Sequence, residues 1–211
     1  MNTLAKLFVL LVITITSSWA QTDSAFDRGM TKAFELMENN QLNEAENVFE
    51  RIANADSESW LPHYYVAFIN SMKSWNIKDE AILKVQLDKA QSHLDEAFKL
   101  SDNNPELLVM QAYVYTNWVA FDGMKYGMTL SPKISELYQK AYAIAPNNPR
   151  VVFGKAEWDM GSAKFFGKDT SPYCKDIERA IELFANFKPE KTYSPNWGTE
   201  RAQQVLESCK A

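Results

Sequence analysis

Two ten-residue segments of the sequence repeat each other 44 residues apart. Residues 97–106 read AFKLSDNNPE and residues 141–150 read AYAIAPNNPR, so a small residue, an apolar stretch and an Asn-Asn-Pro turn recur in the same order. A unit that recurs at a fixed spacing of about 20–50 residues is typical of a chain that stacks similar units on one another. Each copy is predicted to end one helix and to open the next unit.

A second local pattern, an Asn or Ser directly before a proline, marks helix starts. The pairing places a good N-cap side chain before the residue best suited to the first helical position. It occurs at Asn104-Pro105, Ser131-Pro132, Asn148-Pro149, Ser171-Pro172 and Ser194-Pro195. Between these marks the apolar spacing is helical, and no long stretch alternates with a period of two. The predicted helices are residues 24–39, 42–54, 60–75, 78–100, 105–121, 132–144, 149–161, 172–187 and 196–209.

When the two copies are aligned as helix ends, they resemble the tetratricopeptide repeat family, in which a small residue is followed five positions later by proline. Ala141 and Pro146 match this pattern, and Asp102 replaces the proline in the earlier copy. The family also has a small residue at the eighth position of each first helix. Those positions here are Ala33, Ala67, Ala112 and Ala156.

The resemblance implies an all-α fold, a right-handed α-solenoid of about four helix pairs with a C-terminal capping helix. The family unit has about 34 residues, whereas the later steps between these alanines are 45 and 44 residues. Long inserts are therefore expected between the helices of a pair, at residues 73–84, 122–133 and 162–170. Because no Gly/Ser linker or charge block interrupts the chain, residues 21–211 are predicted to form a single tetratricopeptide-like domain.

Segments 121–128 and 195–198 are also similar to those of a group of exported tetratricopeptide proteins of Gram-negative bacteria. That resemblance implies a compartment and a fold, but no function.

Residues 1–20 have the pattern of a cleaved signal peptide. Lys6 precedes an apolar run from Leu7 to Ile15, and Ser18-Trp19-Ala20 supplies small residues where signal peptidase requires them. The run is shorter than the ~20 apolar residues that a membrane-spanning helix needs. We predict cleavage before Gln21, a periplasmic or secreted protein, and no membrane span in the mature chain.

The charge balance of the mature chain excludes one class of partner. Removing residues 1–20 leaves 21 basic and 27 acidic residues, a net charge of −6. Neutralising phosphates requires a basic surface, so nucleic acid is not an expected partner.

The two cysteines, Cys174 and Cys209, both lie in the mature chain. An even count in an oxidising compartment predicts a disulfide. It would close a loop of 34 intervening residues and stabilise the fold by roughly 3–4 kcal/mol. The alternative is two independent buried thiols.

The first helices of such a solenoid line a concave face, where the family usually binds ligands. In this register the predicted partner-binding side chains are Phe34, Tyr64, Phe68, Tyr113, Asn117, Phe153 and Glu157. Lys125 and Tyr126, in a predicted loop at the edge of the groove, are further candidate contacts. The alternative is that this row is core and that the inserts and the C-terminal helix fill the hollow. For Glu157 the alternative is an ion pair between helices.

Motifs for catalysis are missing from the sequence. The stretch from Gly161 to Lys168 resembles a phosphate-binding loop, but five residues instead of four separate its glycines, and Asp169 stands where Ser or Thr is required. We predict instead a turn that packs Phe165 and Phe166 beneath the core. The chain also has no G-x-S-x-G nucleophile motif.

His63 and His93 are the only histidines. The register brings them near each other across the second helix pair, but the spacing places no third metal ligand beside them. We therefore expect neither a metal nor a cofactor.

The sequence thus predicts an exported, non-enzymatic scaffold that binds a peptide or protein partner through a concave Met/aromatic face. The alternative is a small-ligand carrier or an accessory protein of an envelope transport system.

Overall fold

The structure, a computed structural model, describes residues 24–209, so the predicted signal peptide lies outside the described residues. This part of the chain forms nine α-helices and no strand. The helices are α1 (Ala25–Glu38), α2 (Leu42–Ala55), α3 (Leu61–Ser74), α4 (Glu80–Leu100), α5 (Pro105–Phe121), α6 (Gly123–Ile144), α7 (Pro149–Phe165), α8 (Cys174–Asn186) and α9 (Thr199–Ser208).

The helices pack as sequential pairs, α1 on α2, α3 on α4, α5 on α6 and α7 on α8, with α9 against α8. This confirms the prediction of an all-α protein built from paired helices. The four alanines at the predicted close-approach positions, Ala33, Ala67, Ala112 and Ala156, are all buried. Small side chains at these positions allow the helices to approach each other closely.

The Asn-Pro pairs begin helices as predicted. The side-chain oxygen of Asn104 accepts a hydrogen bond from the Glu106 amide at 2.9 Å, and that of Asn148 accepts one from the Arg150 amide at 2.9 Å. Each bond satisfies an amide that has no partner within the first turn of the helix.

The prediction of a helix start at Ser131-Pro132 is wrong. Helix α6 begins nine residues earlier, at Gly123, and contains Pro132 in its interior. Asp122 caps it by accepting from the Lys125 amide at 3.0 Å. Because Pro132 is exposed, water can hydrate the carbonyl that loses its helical partner.

All three predicted inserts are shorter than expected, and the second is almost wholly part of α6. Helix α7 continues to Phe165, and α4 begins at Glu80. The Ser171-Pro172 pair opens a single 3₁₀ turn (Ser171–Tyr173) before α8. Helix α9 begins at Thr199 instead of residue 196.

Three groups of buried side chains form a continuous core along the chain. The first spans α1 to α5, the second α5 to α7, and the third α7 to α9. Helices α5 and α7 each contribute to two groups and so connect them.

A buried ion pair links α5 to α7. Arg150 is only 1% exposed, and its Nε and one terminal nitrogen donate to the two carboxylate oxygens of Glu106, both at 2.7 Å. The two residues occupy equivalent places, directly after Pro105 and Pro149, in the two copies of the sequence repeat.

Cys174 and Cys209 form a disulfide, as predicted. It joins the start of α8 to the residue that follows α9, and it therefore fixes the last helix to the last pair.

Candidate functional site

The predicted concave face is covered by the chain itself. After α8, residues 187–198 run without helical structure back towards α1 and α3; we call this segment the strap. Two of its aromatic residues, Tyr193 and Trp197, lie against the side chains that the sequence placed in the groove.

Trp197 occupies the centre of this face. Its ring stacks on Phe68 with centroids 5.0 Å apart and planes 27° apart, and it lies 6.2 Å from the ring of Tyr113. The indole Nε1 donates a hydrogen bond to the hydroxyl of Tyr64 at 2.8 Å. Three of the predicted site residues therefore meet at one place, and their common partner is an internal indole.

Tyr193 fastens the strap to α1 and α3. Its ring stacks on Phe34 at 5.8 Å and 17°, and its hydroxyl donates to the carbonyl of Asp27 at 3.1 Å. Its own carbonyl accepts from the hydroxyl of Tyr65 at 2.8 Å. Tyr193 has a φ of +68°, a left-handed conformation that costs a non-glycine residue roughly 1 kcal/mol.

Gly198 explains why the predicted last helix starts late. Its φ is +112°, and a Cβ there would lie 2.8 Å from Cζ of Phe184. The chain therefore turns at Gly198, and Trp197 belongs to the strap and not to a helix.

A cleft of about 570 Å³ remains open between α1 and the strap. Phe34 and Tyr193 supply its apolar walls, and Thr31, Glu35 and Lys191 are among its polar lining. This volume falls within the ~300–1,000 Å³ of ordinary ligand pockets.

Arg150 lies where the strap begins. Its guanidinium sits over the ring of Phe187 at 4.5 Å, and its second terminal nitrogen, Nη1, is buried without a hydrogen-bond partner among the described residues. Burial raises the pKa of the nearby Tyr64 and Tyr65 phenols well above the usual range. Both phenols therefore stay neutral hydrogen-bonding groups.

The remaining predicted groove residues have other partners. Asn117 is buried and donates from Nδ2 to the carbonyl of Ser71 at 2.8 Å, and Phe153 packs against Phe184. Glu157 accepts from Nε of Arg201 on α9 at 2.8 Å, which is the ion-pair alternative. The structure therefore does not bring these three onto the face that Trp197 covers.

The predicted loop contacts lie in the first turn of α6 and bind within the chain. Tyr126 donates its hydroxyl to Glu80 at 2.6 Å, and Lys125 forms an ion pair with the same carboxylate. The ring of Tyr126 also packs 4.9 Å from that of Trp118.

A second apolar surface is fully open. Met124, Met128, Phe165 and Phe166 are between 66% and 91% exposed; we call these four residues the open patch. A Cβ at Gly123 would lie 3.7 Å from the Phe165 ring, which places the end of α7 beside the start of α6. The prediction that Phe165 and Phe166 pack beneath the core is wrong, because α7 continues to Phe165 and both rings lie in solvent.

The two histidines are in contact. The Nδ1 atoms of His63 and His93 are 3.0 Å apart, and Glu50 lies 3.8 Å from Nε2 of His93. Burial lowers the pKa of both imidazoles. Within residues 24–209, no group of three or more His, Cys, Asp or Glu side chains is arranged to hold a metal.

No helix of the described chain is long and apolar enough to cross a bilayer.

The sequence predicted that the rings of Tyr64, Phe68 and Tyr113 share one face, but it did not predict that the strap covers them. The only local sequence features of the strap are the aromatic residues around Ser194-Pro195 and Gly198. Neither feature predicts which helices an irregular segment packs against.

These features define a class: an all-helical protein of sequential helix pairs with an aromatic face covered by its own chain. Among solved structures, the chain is similar to the HusA haemophore from Porphyromonas gingivalis, with a TM-score of 0.78 and 21% sequence identity. The match covers 90% of this chain and 94% of that one. At this identity the likeness establishes the fold alone.

The chain matches no protein-family model and no curated protein. The tetratricopeptide resemblance therefore rests on the residues quoted above.

Proposed function

We propose that this chain is an exported, non-enzymatic carrier of a small, planar, largely apolar ligand of the haem and porphyrin class. The observation that carries the proposal is the agreement in fold, over nearly the full length of both chains, with a protein described as a haemophore. This supports the carrier alternative of the sequence analysis over the peptide scaffold.

The chemistry of the covered face supports the same ligand class. Trp197 is itself a planar ring with an N–H, stacked on Phe68 and bonded to Tyr64. A ligand that displaced it would find the same ring surfaces, and each stacked aromatic pair contributes about 0.5–1.5 kcal/mol beyond area burial. Displacing the strap would also uncover Arg150, whose free N–H suits a carboxylate such as a porphyrin propionate.

The open cleft supplies a route to this face. It already exposes Phe34 beside the strap, so a ligand that enters there begins to stack before Tyr193 and Trp197 move. The strap is then a mobile cover rather than part of the rigid core, since it contains no helix and one strained residue.

Export is part of the proposal. The disulfide between Cys174 and Cys209 fits an oxidising compartment, and residues 1–20 have the pattern of a signal peptide cleaved before Gln21. We accordingly assign the protein to the periplasm or the exterior.

One observation favours a second candidate, binding of a peptide or protein segment. The strap is an irregular chain segment that lies along the concave face and is held by its aromatic side chains and by a backbone carbonyl. A foreign segment that replaced it would use the same contacts.

The test is a titration of residues 21–211 with haem and, separately, with iron-free protoporphyrin IX, followed by visible absorbance and tryptophan fluorescence. We expect saturable binding of one ligand per chain for both compounds, because stacking does not need the iron. Trp197→Ala should tighten binding, since no ring then has to be displaced. Phe68→Leu, which keeps apolar volume but removes the ring, should weaken it about 5- to 10-fold.

Phe153→Leu is the matched control, because it removes a buried ring from another part of the core. Equal loss for Phe68→Leu and Phe153→Leu would contradict this location of the site. Failure of both tetrapyrroles to saturate, with binding of a synthetic peptide of residues 187–198 to the Trp197→Ala variant, would favour the second candidate.

A further inference from the structure

The open patch is exposed in the described chain, and the charges beside it indicate what would cover it. We infer that the open patch docks on a membrane surface with anionic lipid headgroups and inserts its Met and Phe side chains into the interfacial layer. This inference goes beyond the carrier function and does not depend on it.

The four apolar side chains form one surface. Met124 and Met128 are four residues apart on α6, so they lie on the same face of that helix. Phe165 is the last residue of α7 and Phe166 follows it, with ring centroids 5.2 Å apart. Because a Cβ at Gly123 would lie 3.7 Å from the Phe165 ring, the two pairs are adjacent.

The end of α7 holds the two rings in place. The amide of Lys168 donates to the carbonyl of Ala163 at 2.8 Å, and that of Gly167 donates to the carbonyl of Lys164 at 3.1 Å. Gly167 has a φ of +64°, so α7 ends in a Schellman motif. The rings therefore project from an ordered helix end and not from a loose loop.

Two lysines border the rings. Lys164 and Lys168 are exposed, and within residues 24–209 neither forms an ion pair. The next acid, Asp169, accepts from the amide and the hydroxyl of Ser171 at 2.9 and 2.7 Å, which turns its carboxylate towards the start of the next helix. Residues 161–168 thus carry two basic and no acidic side chains in a mature chain with a net charge of −6.

This combination matches the chemistry of an anionic lipid interface. Phenyl rings and flexible thioethers enter the boundary between headgroups and acyl chains. A lysine at the rim lays its apolar stem on that boundary and keeps its ammonium group among the headgroups. Its attraction to anionic lipids adds to the burial of apolar surface.

A second copy of the chain fits the open patch less well. Two copies packed patch to patch would bring their lysines together, and these like charges repel. A stable protein interface also takes about 20–30 residues on each side, whereas the open patch offers four at two helix ends. A lipid surface has neither requirement.

The test uses residues 21–211 with two kinds of vesicle, one of phosphatidylcholine alone and one of phosphatidylcholine and phosphatidylglycerol in equal parts. In flotation through a density gradient, the partition coefficient should be about 10-fold higher for the mixed vesicles. High salt should remove this difference. Absence of the protein from the floating mixed vesicles would overturn the proposal.

A fluorescent variant reports insertion directly. With the mixed vesicles, the emission of Phe165→Trp should shift to shorter wavelength and be quenched by lipids brominated on the acyl chains. The parent protein with the same vesicles is the reference, because the mature chain already contains tryptophan. Equal quenching in parent and variant would contradict insertion of the open patch.

Two double variants separate the apolar and charged contributions. Phe165→Ser/Phe166→Ser should lower the partition coefficient on the mixed vesicles at least 10-fold. Lys164→Gln/Lys168→Gln should lower it roughly 5- to 30-fold on the mixed vesicles and leave it unchanged on the neutral ones. A concentration-dependent dimer of the parent, lost in the Phe variant and found without vesicle binding, would assign the open patch to a second copy and overturn the proposal.

Leu100→Ser/Ile144→Ser is the matched control. It also replaces two exposed apolar side chains, but they lie at the ends of α4 and α6. Ile144 is about 30 Å along α6 from Met124. This variant should bind the mixed vesicles as the parent does, and a loss equal to that of the Phe variant would refute the location.

Discussion

The first two helix pairs and the last two are built on the same repeat but are stabilised differently. Among residues 24–209, one group of 20 buried side chains holds the first region and includes three residues of α5. Of its rings, Phe68 stacks on Trp197 of the strap. The last two pairs share two groups of seven and eight buried side chains. Large apolar side chains are exposed in both regions, among them Ile82 and Val85 in the first and the open patch in the second.

Cross-links compensate for the smaller core. The disulfide fixes α8 to the residue after α9, and the Glu106–Arg150 pair fixes α7 to α5. The comparison shows that the disulfide and the buried ion pair both lie in the region whose buried groups are smaller. It can be tested by removing each kind of support in turn.

The largest effect is expected at the ion pair. Glu106→Ala leaves Arg150 charged and buried without a counter-ion, which should lower the free energy of unfolding by about 3–5 kcal/mol in urea denaturation. The double variant Glu106→Met/Arg150→Met removes both charges and should recover most of that loss. If Glu106→Ala costs less than about 1 kcal/mol, the pair is not a cross-link between α5 and α7.

Removing the disulfide should have the next largest effect. In Cys174→Ser/Cys209→Ser the unfolded chain regains the freedom of a long loop, at a cost of roughly 3–4 kcal/mol. Hydrogen exchange followed by mass spectrometry should show faster exchange in α8 and α9 and little change in α1 to α4. Uniformly faster exchange would mean that the two regions unfold as one unit.

Two glycines of α7 test the packing of the second region in opposite directions. A Cβ at Gly154 would lie 2.7 Å from Cε1 of Tyr138, whereas nothing lies within 4 Å of one at Gly161. Gly154→Ala should destabilise by about 1–3 kcal/mol through overpacking. Gly161→Ala should stabilise by up to about 1 kcal/mol through helix propensity. Thermal unfolding of the two variants measures the change in Tm for each. A change of the same sign in both would contradict the packing at Tyr138.

The smallest effect is expected at the open patch. Phe165→Ser/Phe166→Ser removes two exposed rings and should change stability by no more than about 0.5 kcal/mol. Trp197→Ala, which removes one half-buried ring from the first region, should cost about 2–3 kcal/mol. Urea denaturation of the two variants compares their free energies of unfolding. Comparable decreases in both variants would show that the open patch is packed in solution.

Local chemistry explains what the sequence predicted well. Asn104 and Asn148 cap the helices that follow them through hydrogen bonds to residues two positions later. A few consecutive residues are therefore enough to predict each helix start. The burial of the four alanines and the disulfide were also predicted, because the spacing of the repeat and the number of cysteines can be taken directly from the sequence.

What the sequence did not predict depends on distant contacts. Pro132 interrupts helical hydrogen bonding locally, but Tyr126 in the first turn of α6 packs on Trp118 and Glu80, and α6 runs through the proline. On the candidate face, the sequence placed Tyr64, Phe68 and Tyr113 together, but it did not predict the segment that covers them. No short-range pattern indicates that Trp197 bonds to a residue 133 positions earlier.

The strap also bears on the order in which the molecule matures. Tyr193 contacts Asp27 across 166 residues, a separation typical of contacts that form late, because the whole intervening chain must be ordered first. A protein that emerges from a translocation pore N-terminus first would present its aromatic face bare until nearly the last segment has arrived. During this interval, chaperones or a waiting ligand would therefore reach that face without having to displace the strap.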